Sequence, residues 1–477
     1  MTIKQIIFMQ SLEQNIITSE STQQTLFPYD LASSIATVKG KKVAIDFMGG
    51  SITSDAGVLV LREVESQVKV IKMIAGCIND NRRASSILHS MLELLTQRTF
   101  QITCGYEDTN DSNTFRKDPA LKMAVGLLPD SDNDLASQPT FSRLENMITS
   151  RELYRIAQGF VDLFLDSYSE PPKVIVLDFD DTEDVAHGHQ QLVLFNGYYQ
   201  ETCYQPLHVY EGLTGKLITT VLRTGKRPCG KEIVSYLKRI VERIVQKWPD
   251  TVIVYRGDSH YSAQEVFDYI ATQKNCYSIT GLTRNNVLTK RIKHLVDKAK
   301  HKPAGYKCYH SFWYKAQSWS QERRVVVKVE ITNIGKPNVR FISTEMQDAK
   351  SKVLYENIYC ARGNDELCIK EHKTYTKSDR TSCHRFLANQ FRLFLHSAAY
   401  VLLHSLRSNM LQGTSMAGAT FESIRLKLLK IGARIIERKT KVSVHLPTAY
   451  PYQGILSKCL AMFSHLRAHP WPPPLTP

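Results

Sequence analysis

The chain has 477 residues, 43% hydrophobic and 22% charged, which excludes a disordered polyelectrolyte and leaves room for about three domain-sized units. With 61 Lys and Arg against 46 Asp and Glu the net charge is +15, and from Lys373 to Arg467 fifteen bases face three acids, which suits a polyanionic partner. Ten cysteines without a CxxC spacing argue against a zinc site and for a reducing compartment, and no leader or span-length apolar run is present, so a cytoplasmic chain without membrane contact is expected.

Residues 1–40 are polar, and loose order is expected there. KKVAIDF with GGSITSDAG reads as a strand and turn. GVLVLREVESQVKVIKMIAG and RASSILHSMLELLTQRTF carry apolar residues at helical spacing, and TFRKDPALKMAVG and TFSRLENM are shorter helical pieces. Thr149 and Glu152 form a capping-box pattern before ELYRIAQGFVDLFLDSY. SEPP at 169–172 then closes a mainly helical N-terminal domain, residues 1–170, expected to serve DNA binding or assembly.

From residue 171 the pattern becomes that of a sheet. VIVLDFD, LVLFNGYY, YQPLHVYEG and KLITTVLRTG read as strands, the last two as a hairpin. KEIVSYLKRIVERIVQKW is a helix with Ile233, Leu237, Ile240 and Ile244 on one face; TVIVYRGD is a strand, YSAQEVFDYIATQ a helix and NCYSITGL a strand. This order predicts an α/β fold with a ribonuclease H-like mixed sheet, occupying residues 171–282 and 351–408. A β-rich insertion is expected over 283–350, where FWYKAQSW, ERRVVVKVEI and VRFISTEM are strand-like. RFLANQFRLFLHSAAYVLLHSL is apolar nearly all round and reads as a buried helix. Residues 409–477 form a basic C-terminal region: FESIRLKLLKIGARIIERKT as an amphipathic helix, KVSVHLP as a strand, and PWPPPLTP as an extended, mobile tail.

Carboxylates mark the chemistry. Asp178, Asp180 and Asp181 end the VIVLDFDD run, and Asp258 ends VIVYRGD. Strand alternation places Asp178 and Asp180 on one side and Asp181 on the other. In YCARGNDELCIKEHK, Tyr359, Arg362, Glu366 and Lys373 project within an arc of roughly 60° on an α-helix, whereas Asp365 and Glu371 project elsewhere. Two strand-end aspartates and a helical glutamate suit two Mg²⁺ ions, with Mn²⁺ as a substitute, for phosphodiester chemistry. Either Asp178 or Asp180 can supply the first ligand. Arg362 and Lys373 are cations suited to phosphate, and Tyr359 can donate to it. Arg223, Lys226 and Arg227 in RTGKRPCGK, and Arg434, Arg438, Lys439 and Lys441 further on, are expected DNA-backbone contacts. Trp313 and Trp319 can stack on an unpaired base or pack in a core. His187 and His189 are poor ligands for a hard cation, and His260 beside Asp258 reads as a residue that supports the site from behind or packs there.

Tyr359, Arg362, Glu366 and Lys373 match the YREK signature of bacterial DDE insertion-sequence transposases. LDFDDTED, HGHQ, YRGDSHY and FLANQFRLFLHSAAY resemble the insertion sequence 1380 family, from SDAGVLVL through KVSVHLP. The resemblance implies a ribonuclease H-like catalytic domain with a β-insertion before the glutamate, and Mg²⁺ held by Asp180, Asp258 and Glu366. Terminal inverted repeats and target DNA are the implied partners, with a homodimer in the synaptic complex and a nucleoid-associated bacterial location. Two rivals remain. Asp178–Thr182 also spells the D-x-D-x-T motif of haloacid dehalogenase-like phosphatases, with Asp178 as nucleophile. A catalytically inactive DNA-binding relic is the other.

Overall fold

The computed structural model describes residues 36–43 and 45–468, and the chain divides into two compact units, residues 1–50 and 51–477. The described part of the first unit holds a single bridge, Val38 with Lys41, and no helix. The strand expected over KKVAIDF is not formed among the described residues, because an extended run needs a partner to take its backbone hydrogen bonds. The stretch before residue 36 and the tail from 469, where loose order is expected, lie outside the described residues.

The second unit opens with strand β1 (Ile52–Thr53) and six principal helices: Val58–Val68, Val70–Cys77, Met91–Thr103, Pro119–Val125, Gln138–Met147 and Ser150–Asp166. The Thr149 capping box forms: the Glu152 carboxylate accepts from the Thr149 amide at 2.8 Å, and the Thr149 hydroxyl accepts from the Glu152 amide at 3.4 Å. Next come β2 (Val174–Asp181), β3 (Asp184–Val185), β4 (Leu194–Asn196), β5 (Glu201–Tyr204), β6 (Leu207–Glu211) and β7 (Leu217–Val221). Helix Gly230–Lys247 leads to β8 (Val252–Gly257), and helix Gln264–Ala271 leads to β9 (Cys276–Leu282). β10 (Lys307–Tyr314), β11 (Arg323–Ile331) and β12 (Pro337–Thr344) complete the sheet.

Eight strands make one mixed sheet in the order β10-β11-β12-β9-β8-β2-β6-β7. β2, β8 and β9 are parallel, and the remaining pairings are antiparallel. The segment 283–350 therefore extends the edge of the main sheet, with Ile342 opposite Gly281. LVLFNGYY does not join that sheet; β3, β5 and β4 form a small one of their own off the end of β2.

Alternation along β2 sets the two faces. Ile175, Leu177 and Phe179 pack with Ile233, Leu237, Ile240 and Ile244, whereas Val176 packs with Val254, Leu354 and Tyr355 on the opposite side. Burying each such apolar side chain is worth about 1.5–3 kcal/mol. A one-residue slip would turn all of them over. This register sends Asp178 and Asp180 toward the helical segment Val353–Tyr375.

Helix Phe386–Ser405 is buried nearly all round. It shares one hydrophobic core with the N-terminal helices and with Phe421, Leu428, Ile435 and Phe463 from the basic C-terminal region. The helix expected over FESIRLKLLKIGARIIERKT ends at Leu429. Beyond Gly432 the chain forms β13 (Ala433–Arg438) and β14 (Lys441–His445), a hairpin that pairs with β1. β-Branched Ile435 and Ile436 sit opposite Val444 and Ser443 in it, a better use of them than a helix face. Among the described residues no helix is long and apolar enough to cross a membrane.

Candidate active site

Parallel pairing places Asp178 opposite Arg256 and Phe179 opposite Gly257. One residue further on, Asp180, next to last in β2, and Asp258, just past the end of β8, lie near each other. Asp258 caps a short turn, its Oδ1 accepting from the His260 amide at 2.7 Å. Asp180 Oδ2 accepts from Arg362 Nη1 at 2.7 Å, and Arg362 Nη2 donates to Glu366 Oε1 at 2.8 Å. Burial pushes the Asp180 carboxyl up to about 7; Arg362 opposes the shift, and Asp258 and Asp181 add to it. The Glu366 side chain is 61% exposed, so the arrangement opens to solvent on that side.

The segment that carries Arg362 and Glu366 is not one regular α-helix. π-Helical turns at Val353–Tyr359 and Glu371–Tyr375 flank a 3₁₀ turn at Cys360–Arg362 and an α-helix at Gly363–Lys370. A uniform 100° projection does not hold across those turns; Tyr359, Arg362 and Lys373 reach the strands, and Glu366 is linked to them through Arg362. Lys373 Nζ donates to the Glu183 carbonyl and lies 3.4 Å from Thr182 Oγ1. The Tyr359 hydroxyl sits over Gly281, where a Cβ would lie 2.8 Å from it and 2.9 Å from the Ser259 amide. Only glycine fits that approach.

The two off-stripe acids are not solvent-facing. Glu371, expected to point away from the stripe, is half-buried and held by Arg407 through bonds of 2.6 and 2.8 Å. Asp365 is 2% exposed, and both its oxygens lack hydrogen-bond partners among the described residues. Burial holds its carboxyl well above the usual range, and the nearby Asp178 and Asp180 raise it further.

Asp178 is fully buried. Arg256 Nε and Nη2 grip its two oxygens, the latter at 2.5 Å, while Arg256 Nη1 donates to the Ile358 carbonyl at 2.6 Å. This arrangement leaves Asp178 badly placed both as a nucleophile, which the phosphatase reading needs, and as a metal ligand. Asp181 points to the other face, accepting from Tyr261 Oη and Gln205 Nε2, each at 2.9 Å.

Of the expected DNA contacts, Arg223 is corrected: it is 5% exposed and spent on Glu232 at 2.7 Å, with Asp181 at 3.8 Å. Lys226 and Arg227 are exposed, and Arg227 donates to the Ser259 carbonyl at 2.7 Å beside Asp258. Arg434, Arg438, Lys439 and Lys441 are exposed on the β13–β14 hairpin. Trp319 is buried between Phe267 and Tyr314, a core residue and not a stacking surface; Trp313 is 42% exposed on the edge strand β10. Arg256 is absent from the sequence-based expectations, and Asp365 stands in them only as an acid off the stripe. Arg256 did leave a signal, a charge inside the apolar run VIVYRG.

Among the described residues no three His, Cys, Asp or Glu side chains converge as a metal cage, since Arg362 stands between Asp180 and Glu366. The donor chemistry still suits a hard cation, because Asp180, Asp258 and Glu366 offer carboxylate oxygens.

The piggyBac transposase in a synaptic complex with hairpin DNA is a solved structure similar to this chain. The identity is 10%, the match covers 79% of this chain and 80% of that chain, and the TM-score is 0.40, too loose a likeness to assign a topology. The search of curated proteins gave no match. The model of transposase DDE domain group 1 matches residues 35–468, and the chain belongs to that family.

Proposed function

We propose that this transposase binds the terminal inverted repeats of an insertion sequence of the 1380 type in a bacterial cell, on the nucleoid. It cleaves the DNA at the element ends and joins them to target DNA as a homodimer in a synaptic complex. The observation that carries the reading is the placement of Asp180 and Asp258 at adjacent ends of parallel strands, with Glu366 brought to the same side through Arg362. An antiparallel β2-β6-β7 meander followed by two helical crossovers to β8 and β9 supports a ribonuclease H-like core.

Asp180, Asp258 and Glu366 would hold Mg²⁺, two ions in all, with Mn²⁺ as a substitute. Bound there, the metal supplies activation of the attacking oxygen and stabilisation of the leaving one. Burial is the main cause that raises the Asp180 carboxyl, and the smaller repulsion from Asp258 and Asp181 that adds to it is of the kind a cation relieves. Arg362, beside Asp180 and Glu366, and Lys373, beside Thr182 and Glu183, would hold the phosphate, Arg362 through two oxygens. Tyr359 closes the far side over Gly281. The exposed cations of the β13–β14 hairpin would follow the DNA backbone.

The test uses duplex element ends with Mg²⁺ or Mn²⁺. Asp180→Ala, Asp258→Ala and Glu366→Ala should each lower cleavage more than about a hundredfold while end binding persists. Near-normal cleavage by Glu366→Ala would overturn the assignment. Phosphate release from a small ester, without cleavage of DNA, would return the phosphatase reading.

A further inference from the structure

At the opposite end of β6 from the carboxylates lies a cavity with no part in the chemistry just described. It has a volume of about 850 Å³ and opens between helix Ser150–Asp166, the consecutive helices Val58–Val68 and Val70–Cys77, and the C-terminal end of helix Phe386–Ser405. That volume falls within the range of small-ligand sites, about 300–1,000 Å³. Strand register fixes the place. His208 of β6 faces Asp180, β6 ends at Glu211, and Lys216 lines the cavity from the turn beyond.

Lys216 is a half-buried cation without an ion pair among the described residues. Its Nζ donates to Ser167 Oγ at 2.9 Å and to the Ser167 carbonyl at 3.3 Å, and it lies 3.8 Å from the centroid of the Tyr168 ring. Burial pushes the ammonium down to about 8; Glu211 opposes the shift, but its oxygens are spent on Thr214 and on the amides of Val176 and Leu213. Lys69 and Lys72 add two exposed cations to the same cavity, also without ion pairs among the described residues. They sit where two helices meet: Lys69 takes φ 62° between them, and Glu65 Oε1 accepts from the amides of Ile71 at 2.9 Å and Lys72 at 3.0 Å. The acids of the lining, Asp162 and Asp166, are taken by Arg243 and Lys247.

Three positive charges thus have no protein counterpart, and one of them is partly desolvated, a cost that a bound anion offsets. The remaining lining is apolar at Met73, Leu163, Leu217 and Val401, and Gln158 and Asn409 bring polar side chains with no hydrogen bond to the protein among the described residues. We infer that this cavity is a binding site for a small organic anion, with an apolar body against Met73, Leu163, Leu217 and Val401 and its carboxylate, sulfonate or phosphate on Lys216. Duplex DNA meets a protein chiefly through phosphate and sugar and gains little from apolar walls, so the lining favours the small ligand. The inference stands apart from the cleavage reaction and does not depend on it.

The probes are anilinonaphthalene sulfonate and its neutral counterpart, phenylnaphthylamine, followed by fluorescence with the full chain. The sulfonate should bind saturably, and the neutral probe roughly tenfold more weakly or worse. Decanoate should displace the sulfonate, whereas decanol and inorganic phosphate at the same concentration should not. Lys216→Met, with its fold checked by urea unfolding, should lower sulfonate affinity roughly tenfold or more, and Lys216→Arg should retain most of it. Val401→Trp, which keeps the lysine and fills the cavity, should weaken both probes. Absence of saturable binding to the parent chain, equal affinity for the two probes, or parent-like binding by folded Lys216→Met overturns the site. Displacement by phosphate alone removes the part assigned to the apolar body. Displacement by a short duplex as readily as by decanoate makes the cavity a nucleic-acid surface and overturns the small-anion reading.

Discussion

Asp178 and Asp180 leave the same face of β2 one pleat apart, yet they belong to two different regions. Asp178 lies in a sealed floor with Arg256, Asp365 and the backbone of Gly212, where an added Cβ would strike both Arg256 and Asp178. Asp180 lies on an open rim with Arg362, Asp258 and Glu366. The floor arginine has no exposure to lose: it joins β2 and β8 to the helical segment through Ile358, so it positions the rim from below. The rim arginine reaches Glu366 at the surface. Chemical type and spacing are the same for the two aspartates, so depth in the sheet separates a structural carboxylate from one that can meet a substrate.

The sharpest way to break this comparison is to remove each arginine. Arg256→Ala strands a buried charge and should cost about 3–5 kcal/mol in urea unfolding. Arg362→Ala should cost less, about 1–3 kcal/mol, because its Glu366 partner is exposed although its Asp180 partner is mostly buried, and should impair cleavage besides. Equal stability losses would erase the distinction between floor and rim.

The sealed interior also has a pH signature. Burial, with Arg407 adding to it, pushes His404 down to about 4. Its folded value lies below an unfolded value of about 6.5, so its contribution is full above pH 6.5 and declines as pH falls toward 4. The slope is up to about 1.4 kcal/mol per pH unit for this one proton. His404→Asn should flatten urea stability against pH by that amount; an unchanged slope would mean that His404 titrates freely.

Glu371→Ala sharpens the comparison from the helix side. Removing the Arg407 pair should cost about 1–3 kcal/mol with cleavage intact in the folded fraction. A catalytic loss like that of Glu366→Ala would show that Glu371 belongs to the rim. The smallest effect is expected at the β13–β14 hairpin. Neutralising Arg434, Arg438, Lys439 and Lys441 should lower the log–log salt slope of duplex binding by up to about 0.9 for each DNA phosphate that these side chains neutralise. The unfolding curve should not move, because all four side chains are exposed.

Much was legible along the chain because it is written in local periodicity. The helix with Ile233, Leu237, Ile240 and Ile244 buries that face, the Thr149 box caps its helix, and β2 alternates as its apolar residues require. Tyr359, Arg362, Glu366 and Lys373 stand at helical spacing in the sequence, but π and 3₁₀ turns change the pitch between them, so their positions at the sheet depend on the tertiary structure. What could not be read locally depends on partners distant in sequence. The amphipathic run 421–440 splits into a helical turn and a strand because β1, far earlier in the chain, offers an edge. Arg223 and Trp319 turn inward because Glu232 and Phe267 are there to receive them. The choice between Asp178 and Asp180 is of the same kind: alternation gives both the same face, and only the arrival of Arg256 from the neighbouring parallel strand seals one and leaves the other open.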